Sequence, residues 1–204
     1  MNVLKGFTLA EVLITLGIIG VVAAMTLPIL ITKHQKNITA TKLKQTYNIL
    51  FQAVQRSELD NGNVSEWEYP TRISKEWIDK YISPYLKHSK IIKYNIENFS
   101  IVLINGVEVN FWCHNSSVHV FVYLNGKKNN PKSGRNSFVF EIGHSANGRS
   151  AELRPYDYLV PANSGREGWI NNKTYGCNKD VSDKRHCAGL IMYDGWKISD
   201  DYPW

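Results

Sequence analysis

The sequence predicts an α+β fold in which a long N-terminal helix precedes an antiparallel β-sheet. An uncharged, largely apolar run of 21 residues, Val12 to Thr32, is long enough to span a bilayer as a helix. Behind it, apolar residues follow a helical period to about residue 60, and from Phe99 they alternate in the manner of strands. A helix followed by strands with tight turns is typical of the α+β class.

The predicted spanning segment begins beside one carboxylate, Glu11. A charged side chain inside a membrane helix costs roughly 2.5–3.5 kcal/mol on insertion scales, so such residues are usually paired and functional. A conventional secretory signal is the alternative, but it has a shorter apolar region and a small-x-small cleavage site. Val22-Ala23-Ala24 is a poor version of that site. Lys5 favours a cytoplasmic amino terminus.

The second part of the predicted helix is amphipathic. Its apolar stripe has helical spacing and comprises Leu43, Tyr47, Leu50, Phe51 and Val54. Asn61-Gly62 supplies a stop signal, so one helix can run from Phe7 to about Asp60. Pro28 removes one backbone hydrogen bond, and we therefore expect a kink there.

The remainder of the chain predicts helical turns and then hairpins. Trp77, Ile78 and Tyr81 are helix-spaced within Lys75–Leu86, and Pro84 should end that segment. Asn105-Gly106 between two apolar runs predicts a hairpin. Further strands are expected at Val118–Leu124 and Ser137–Ile142, and a last hairpin at Leu190–Tyr193 and Trp196–Ile198.

The amino terminus resembles that of type IV pilins and type II secretion pseudopilins. The family motif is a short basic leader that ends in Gly, followed by Phe-Thr-Leu, any residue and Glu. Here it reads Gly6-Phe7-Thr8-Leu9-Ala10-Glu11. The resemblance implies cleavage between Gly6 and Phe7 by prepilin peptidase, N-methylation of Phe7, and a long helix packed on a small antiparallel sheet. It also implies that Glu11 pairs with the Phe7 terminus of a neighbouring subunit and that Pro28 lies at a distance common in type IV pilins.

The resemblance also implies a domain organisation and a set of partners. We expect a leader at 1–6, a transmembrane half-helix at 7–32, an amphipathic half-helix at 33–62 and a β-rich head at 63–204. The expected partners are prepilin peptidase, other pilin or pseudopilin subunits, an inner-membrane assembly platform and membrane lipid. The chain would cross the bacterial inner membrane once, with its head in the periplasm or outside, and join a filament after assembly.

Three cysteines bear on the compartment of the head. Cys177 and Cys187 bracket a polar loop, and a disulfide between them is plausible in an exported domain. Cys113 is then a buried thiol or pairs elsewhere. A zinc site built from these cysteines and His114 or His186 is the alternative, but no Cys-x-x-Cys pair supports it.

The net charge of +6 has two interpretations. One is an ordinary solvated surface, and the other is attraction to nucleic acid or anionic lipid, which requires a clustered patch. The basic residues of the head concentrate in two loops, 127–135 and 179–185. The sequence leaves open whether these loops share a face, and we expect nucleic acid to be an improbable partner.

We expect a structural rather than a catalytic protein, without a cofactor. No hydrolase elbow, phosphate-binding loop or metalloprotease motif is present. The turn at Asn125-Gly126 resembles a pilin-like segment in which an acidic residue could help bind calcium, but Tyr123 replaces that acid. The predicted function is a filament subunit, most closely of the type II secretion kind. The alternatives are a minor pilin whose basic head binds DNA and a membrane-tethered enzyme.

Overall fold

The computed structural model describes residues 8–69, 72–95, 98–114, 117–143, 152–157 and 164–204. The chain divides into two compact units, Met1–Ile38 and Thr39–Trp204, which we call the N-terminal and C-terminal units. Helix α1, Leu9–Asn61, begins in the first and ends in the second. The domain boundaries expected from the sequence remain predictions.

A sheet of six antiparallel strands forms the centre of the C-terminal unit, and each strand pairs with its neighbours in sequence. The strands are β1 His88–Asn95, β2 Asn98–Leu103, β3 Glu108–His114, β4 Ser117–Tyr123, β5 Ser137–Gly143 and β6 Glu152–Pro155. A long helix followed by an antiparallel sheet confirms the predicted α+β, pilin-like arrangement.

The last five turns of α1 pack on this sheet through the predicted apolar stripe. Leu43, Leu50 and Val54 are buried, and each such side chain contributes about 1.5–3 kcal/mol of hydrophobic stabilisation. The Tyr47 ring lies 5.4 Å from that of Phe140 on β5. Periodicity alone therefore identified the face of the helix that meets the sheet.

Two glycines with positive φ define the turns that the sequence predicted. Gly62 follows the last residue of α1 with a φ of 79°, a conformation that favours glycine at helix ends. Gly106 has the same φ between β2 and β3, where the Leu103 N–H donates to the Val107 carbonyl at 2.8 Å. The predicted helix end and hairpin are both confirmed.

The predicted last hairpin is wrong, because Leu190–Tyr193 belongs to a helix. Among the described residues, three short helices accompany α1, namely α2 Lys75–Tyr81, α3 Gly165–Ile170 and α4 Cys187–Tyr193. Gly189 of α4 allows the Trp169 ring of α3 to lie directly on its backbone. This tertiary contact and the disulfide at Cys187 stabilise a helix in place of the predicted hairpin.

The predicted helical turns are present before β1, whereas four elements of the described residues were not predicted. The Ser74 hydroxyl caps α2 by accepting from the Trp77 N–H at 3.2 Å. A 3₁₀ turn that contains Pro84 follows. The elements that were not predicted are the 3₁₀ turn Val64–Glu66, β1, β6 and α3.

The aromatic C-terminus docks, as its composition suggested. Tyr202 is buried and its hydroxyl donates to the Gly134 carbonyl. The guanidinium carbon of Arg135 lies 5.0 Å from the centre of the half-buried Trp204 ring. The loop after β4 and the end of the chain therefore hold each other in place.

Candidate functional site

Thr8 and Glu11 form a reciprocal cap at the start of α1. The backbone N–H and the hydroxyl of Thr8 both donate to Glu11 Oε2 at 2.9 Å. In return, the Glu11 N–H donates to Thr8 Oγ1 at 3.2 Å. This is a capping box, which satisfies backbone groups that the first helical turn leaves unpaired. The Thr-x-x-Glu spacing is the sequence signal of this cap, which was not among the predicted features.

The carboxylate of Glu11 retains an open oxygen. Both side-chain hydrogen bonds end on Oε2, and no residue between Thr8 and Trp204 that the structure describes donates to Oε1. The side chain is exposed within its unit. Gly6 and Phe7, the predicted processing residues, lie outside the described residues.

The part of α1 that follows Glu11 presents apolar side chains without a protein covering. It is long and apolar enough to cross a membrane, judged by length and composition. Its exposed large side chains include Leu13, Ile14, Leu16, Ile18, Ile19, Val21, Val22, Met25, Leu27, Ile29, Leu30 and Ile31. A continuous exposed apolar surface of this size marks a site of contact with a membrane or with another protein.

Helix α1 continues through Pro28. The Thr32 hydroxyl donates to the Pro28 carbonyl at 2.9 Å, and the Thr26 hydroxyl donates to the Val22 carbonyl at 3.0 Å. Side-chain hydroxyls thus add hydrogen bonds on both sides of the residue that lacks an N–H. A kink at Pro28 remains a prediction.

Two family models match the chain. Residues 29–204 match a family of unknown function, DUF6613. The chain belongs to the DUF6613 family. Residues 1–27 of this DUF6613 member match the prokaryotic N-terminal methylation motif, the type IV pilin and pseudopilin signature, which confirms the resemblance found in the sequence. No curated protein and no solved structure matches the chain.

The methylation motif indicates the functional class of this DUF6613 chain. It supports a type IV pilin-like or pseudopilin precursor and suggests a structural protein. It implies processing by prepilin peptidase and assembly with other pilin subunits. Together with the apolar helix, it fits anchoring in the inner membrane.

The C-terminal unit of the DUF6613 chain contains one disulfide among its described residues. It joins Cys177 and Cys187, the pair selected from the sequence. A cross-link over a sequence separation of 10 residues stabilises the fold by about 3 kcal/mol in the chain-entropy model. Cys113 of β3 is buried and takes no part in the disulfide, and burial raises the pKa of its thiol.

One arginine fastens α3 to the chain end. Arg166 binds both carboxylate oxygens of Asp194 at 2.8 and 2.9 Å and both of Asp201 at 2.7 and 2.9 Å. It also donates to the Ser199 hydroxyl at 3.0 Å. These bonds to Arg166, and then the one from Ser199, hold the pKa of Asp201 well below its usual range. Nothing in the sequence pattern indicated this cluster.

Arg166→Met should remove part of the pH dependence of stability. A carboxylate with a lowered folded pKa stabilises the fold above its unfolded pKa, near 3.9, and loses that contribution as the pH falls through its folded pKa. We expect a loss of about 1–2 kcal/mol at pH 7, because the ion pairs are partly exposed. Urea unfolding should show that the free energy of unfolding falls less between pH 7 and pH 3 for the variant than for the natural chain. An equal difference would contradict this account of Asp201.

The described residues contain no group of three or more His, Cys, Asp or Glu side chains placed to hold a metal ion. Near the Asn125-Gly126 turn, the available carboxylate is that of Glu108 on β3. It accepts from the Lys127 N–H at 2.9 Å, so a backbone donor already uses the acid at this turn.

Proposed function

We propose that this protein is the precursor of a structural subunit of a type IV filament system, most closely a type II secretion pseudopilin. One observation carries the proposal, namely the methylation motif matched at residues 1–27, in which Glu11 lies at the start of an apolar helix of membrane-spanning length. Prepilin peptidase would cleave after Gly6 and methylate the amine of Phe7. The role is assembly rather than catalysis.

Glu11 would act as the register contact between subunits. A carboxylate in hydrocarbon requires a cation, and the Phe7 amine of a neighbouring subunit can supply it. Thr8 orients the carboxylate through Oε2, and none of the described residues donates to Oε1, which would accept from such a partner. The apolar side chains around it pack without a preferred register, so the charge pair would set the axial position of one subunit against the next.

The anchor would be residues 7–32, with the head of residues 63–204 outside the cytoplasm. The disulfide between Cys177 and Cys187 supports export, because such bonds persist in oxidising compartments. The segment around Pro28 would bend where subunits pack, since its carbonyl partner at Ala24 lacks an intrahelical donor. An inner-membrane platform and membrane lipid would be the other partners.

We favour the secretion pseudopilus over a surface pilus because of the turn that follows β4. The Gly126 N–H donates to the Tyr123 carbonyl at 3.2 Å, in the segment that resembles pilin-like proteins. The described cysteines form a single disulfide, which also favours this choice.

Mass spectrometry of the mature chain tests the proposed function. We expect an N-terminus at N-methylated Phe7 in cells that contain prepilin peptidase. A Gly6→Val variant is the matched control and should keep its leader, because the peptidase needs close access to the backbone before the cut bond. A natural chain that retains Met1 under the same conditions would contradict the filament proposal and favour a membrane-tethered protein.

A further inference from the structure

The two basic loops of the C-terminal unit hold most of the excess positive charge of the chain. Residues 127–135 contain four Lys or Arg and no acid, and residues 179–185 contain three Lys or Arg and two Asp. Their combined charge is thus +5, compared with +6 for the whole chain. We call them loop A (127–135) and loop B (179–185).

Loops A and B are in direct contact. The Lys184 N–H donates to the Ser133 hydroxyl at 2.8 Å. A β-carbon on Gly134 would lie 2.8 Å from Cys187 Sγ, so the backbone of loop A rests against the disulfide that closes loop B. Lys132, Arg135 and Arg185 lie within two residues of the contact between Ser133 and Lys184. The fold therefore concentrates basic residues that the sequence separates by about 50 positions.

Four of the seven cations are held by the protein itself. Arg185 pairs with Asp183 at 2.7 Å and stacks on Tyr175 at 4.7 Å. Arg135 lies over Trp204, Lys184 donates to the Val181 carbonyl, and Lys127 lies 5.9 Å from the Tyr123 ring centre. These contacts hold the four side chains in place on the surface, and each side chain keeps its positive charge.

The other three cations are available to a ligand. Lys128, Lys132 and Lys179 are exposed. Within the described part of the chain, none of the three forms an ion pair. Asp180 is the one acid of the two loops that is not paired with Arg185.

We propose that loops A and B form a binding surface for the phosphate backbone of duplex nucleic acid. Exposed lysines on a fixed basic surface suit a rigid row of phosphates, and such binding is driven by the release of counterions. A membrane surface fits less well, because interfacial binding also uses buried apolar area. Neither loop contributes an exposed large hydrophobic residue, and Val181 is buried. This property goes beyond filament assembly and does not rest on it.

The test measures binding of a fluorescent DNA duplex to the full-length chain in detergent between about 50 and 200 mM salt. Two variants with equal net charge are compared with the natural protein. The surface variant carries Lys128→Glu, Lys132→Glu and Lys179→Glu. The control changes exposed lysines on α1, before β1 and on β1, namely Lys44→Glu, Lys87→Glu and Lys90→Glu. Thermal unfolding and non-reducing electrophoresis show that each variant is folded and disulfide-bonded.

We expect the surface variant to bind at least about tenfold more weakly and to lose about 2–3 units of the slope of log K against log salt, since each phosphate contact contributes about 0.9. The control should remain within about threefold of the natural protein, because it removes no phosphate contact. Lys→Gln changes at the three surface positions should also weaken DNA binding more than the control does, but by a smaller factor than the Glu changes. They replace the Glu variant if it does not fold.

Three results would overturn the proposal. The natural protein would bind DNA without salt dependence or not at all, or the control would lose as much affinity as the surface variant. In the third, the surface variant would keep its affinity for the duplex but lose binding to phosphatidylglycerol in mixed micelles, which would identify the loops as a lipid-binding surface. None of these results bears on cleavage at Gly6, so the filament proposal is judged separately.

Discussion

Gly189→Ala is expected to destabilise the C-terminal unit by about 3 kcal/mol. The same change in an ordinary helix interior stabilises by up to about 1 kcal/mol, so the predicted sign is reversed. The added β-carbon would lie 2.0 Å from Cζ3 and 2.3 Å from Cε3 of Trp169. That ring is buried, and its residue is anchored through its carbonyl, which accepts from the Cys177 N–H at 2.8 Å. Urea unfolding of the full-length chain in detergent measures the loss.

A double-mutant cycle with Trp169→Leu isolates the clash. Trp169→Leu alone should destabilise the unit, because it removes a large buried ring. In that background Gly189→Ala should be neutral or stabilising, since the atoms it would strike are absent. If Gly189→Ala costs the same with and without the ring, then contact with Trp169 is not the cause.

Glu11→Ala is expected to leave membrane insertion intact and to reduce incorporation into the filament by about tenfold or more. A tenfold change requires only about 1.4 kcal/mol per subunit. Removing a charge from an apolar segment favours insertion, whereas the proposed pair with the neighbouring Phe7 amine is lost. Membrane fractionation measures insertion, and immunoblotting of sheared or cross-linked filaments measures incorporation. Normal incorporation of the variant would remove the proposed pairing.

Two further variants separate the charge of Glu11 from its capping role. Glu11→Gln keeps an oxygen that can accept from the Thr8 N–H but removes the charge. Thr8→Ala keeps the charge and removes the hydroxyl that also binds the carboxylate. If the charge pair sets the register, Glu11→Gln should fail like Glu11→Ala, and Thr8→Ala should assemble. The opposite result would show that the helix cap is what assembly requires.

Local signals in the sequence were sufficient for α1 and for the sheet from β2 to β5. The stripe of Leu43, Leu50 and Val54 has one period over a long segment, and Asn105-Gly106 specifies its turn without help from the rest of the fold. The predicted disulfide pair also follows from sequence spacing. At the amino terminus, the sequence singled out Glu11 for its charge beside an apolar run, and its role stays a prediction, but its hydrogen bonds with Thr8 were not foreseen.

The other elements depend on contacts that are distant in sequence. Residues 190–193 are too short a run to show a period, and α4 exists because Gly189 receives Trp169. β1 alternates weakly and is held at the edge by its pairing with β2. Arg166 reaches Asp194 and Asp201 across about 30 positions, and loop A meets loop B across about 50. No local sequence pattern indicates these long-range contacts.

The sequential order of the six strands has a consequence for biogenesis. Every pairing joins strands that are consecutive along the chain, so the sheet can grow strand by strand as the polypeptide emerges. Such low contact order favours fast folding and brief exposure of unpaired edges. The residues that fasten loop A, namely Cys187 and Tyr202, follow all six strands in the sequence and are synthesised after them. Loop A can therefore be fixed only once the sheet strands have been made, and a product that stops before Cys187 would lack both contacts.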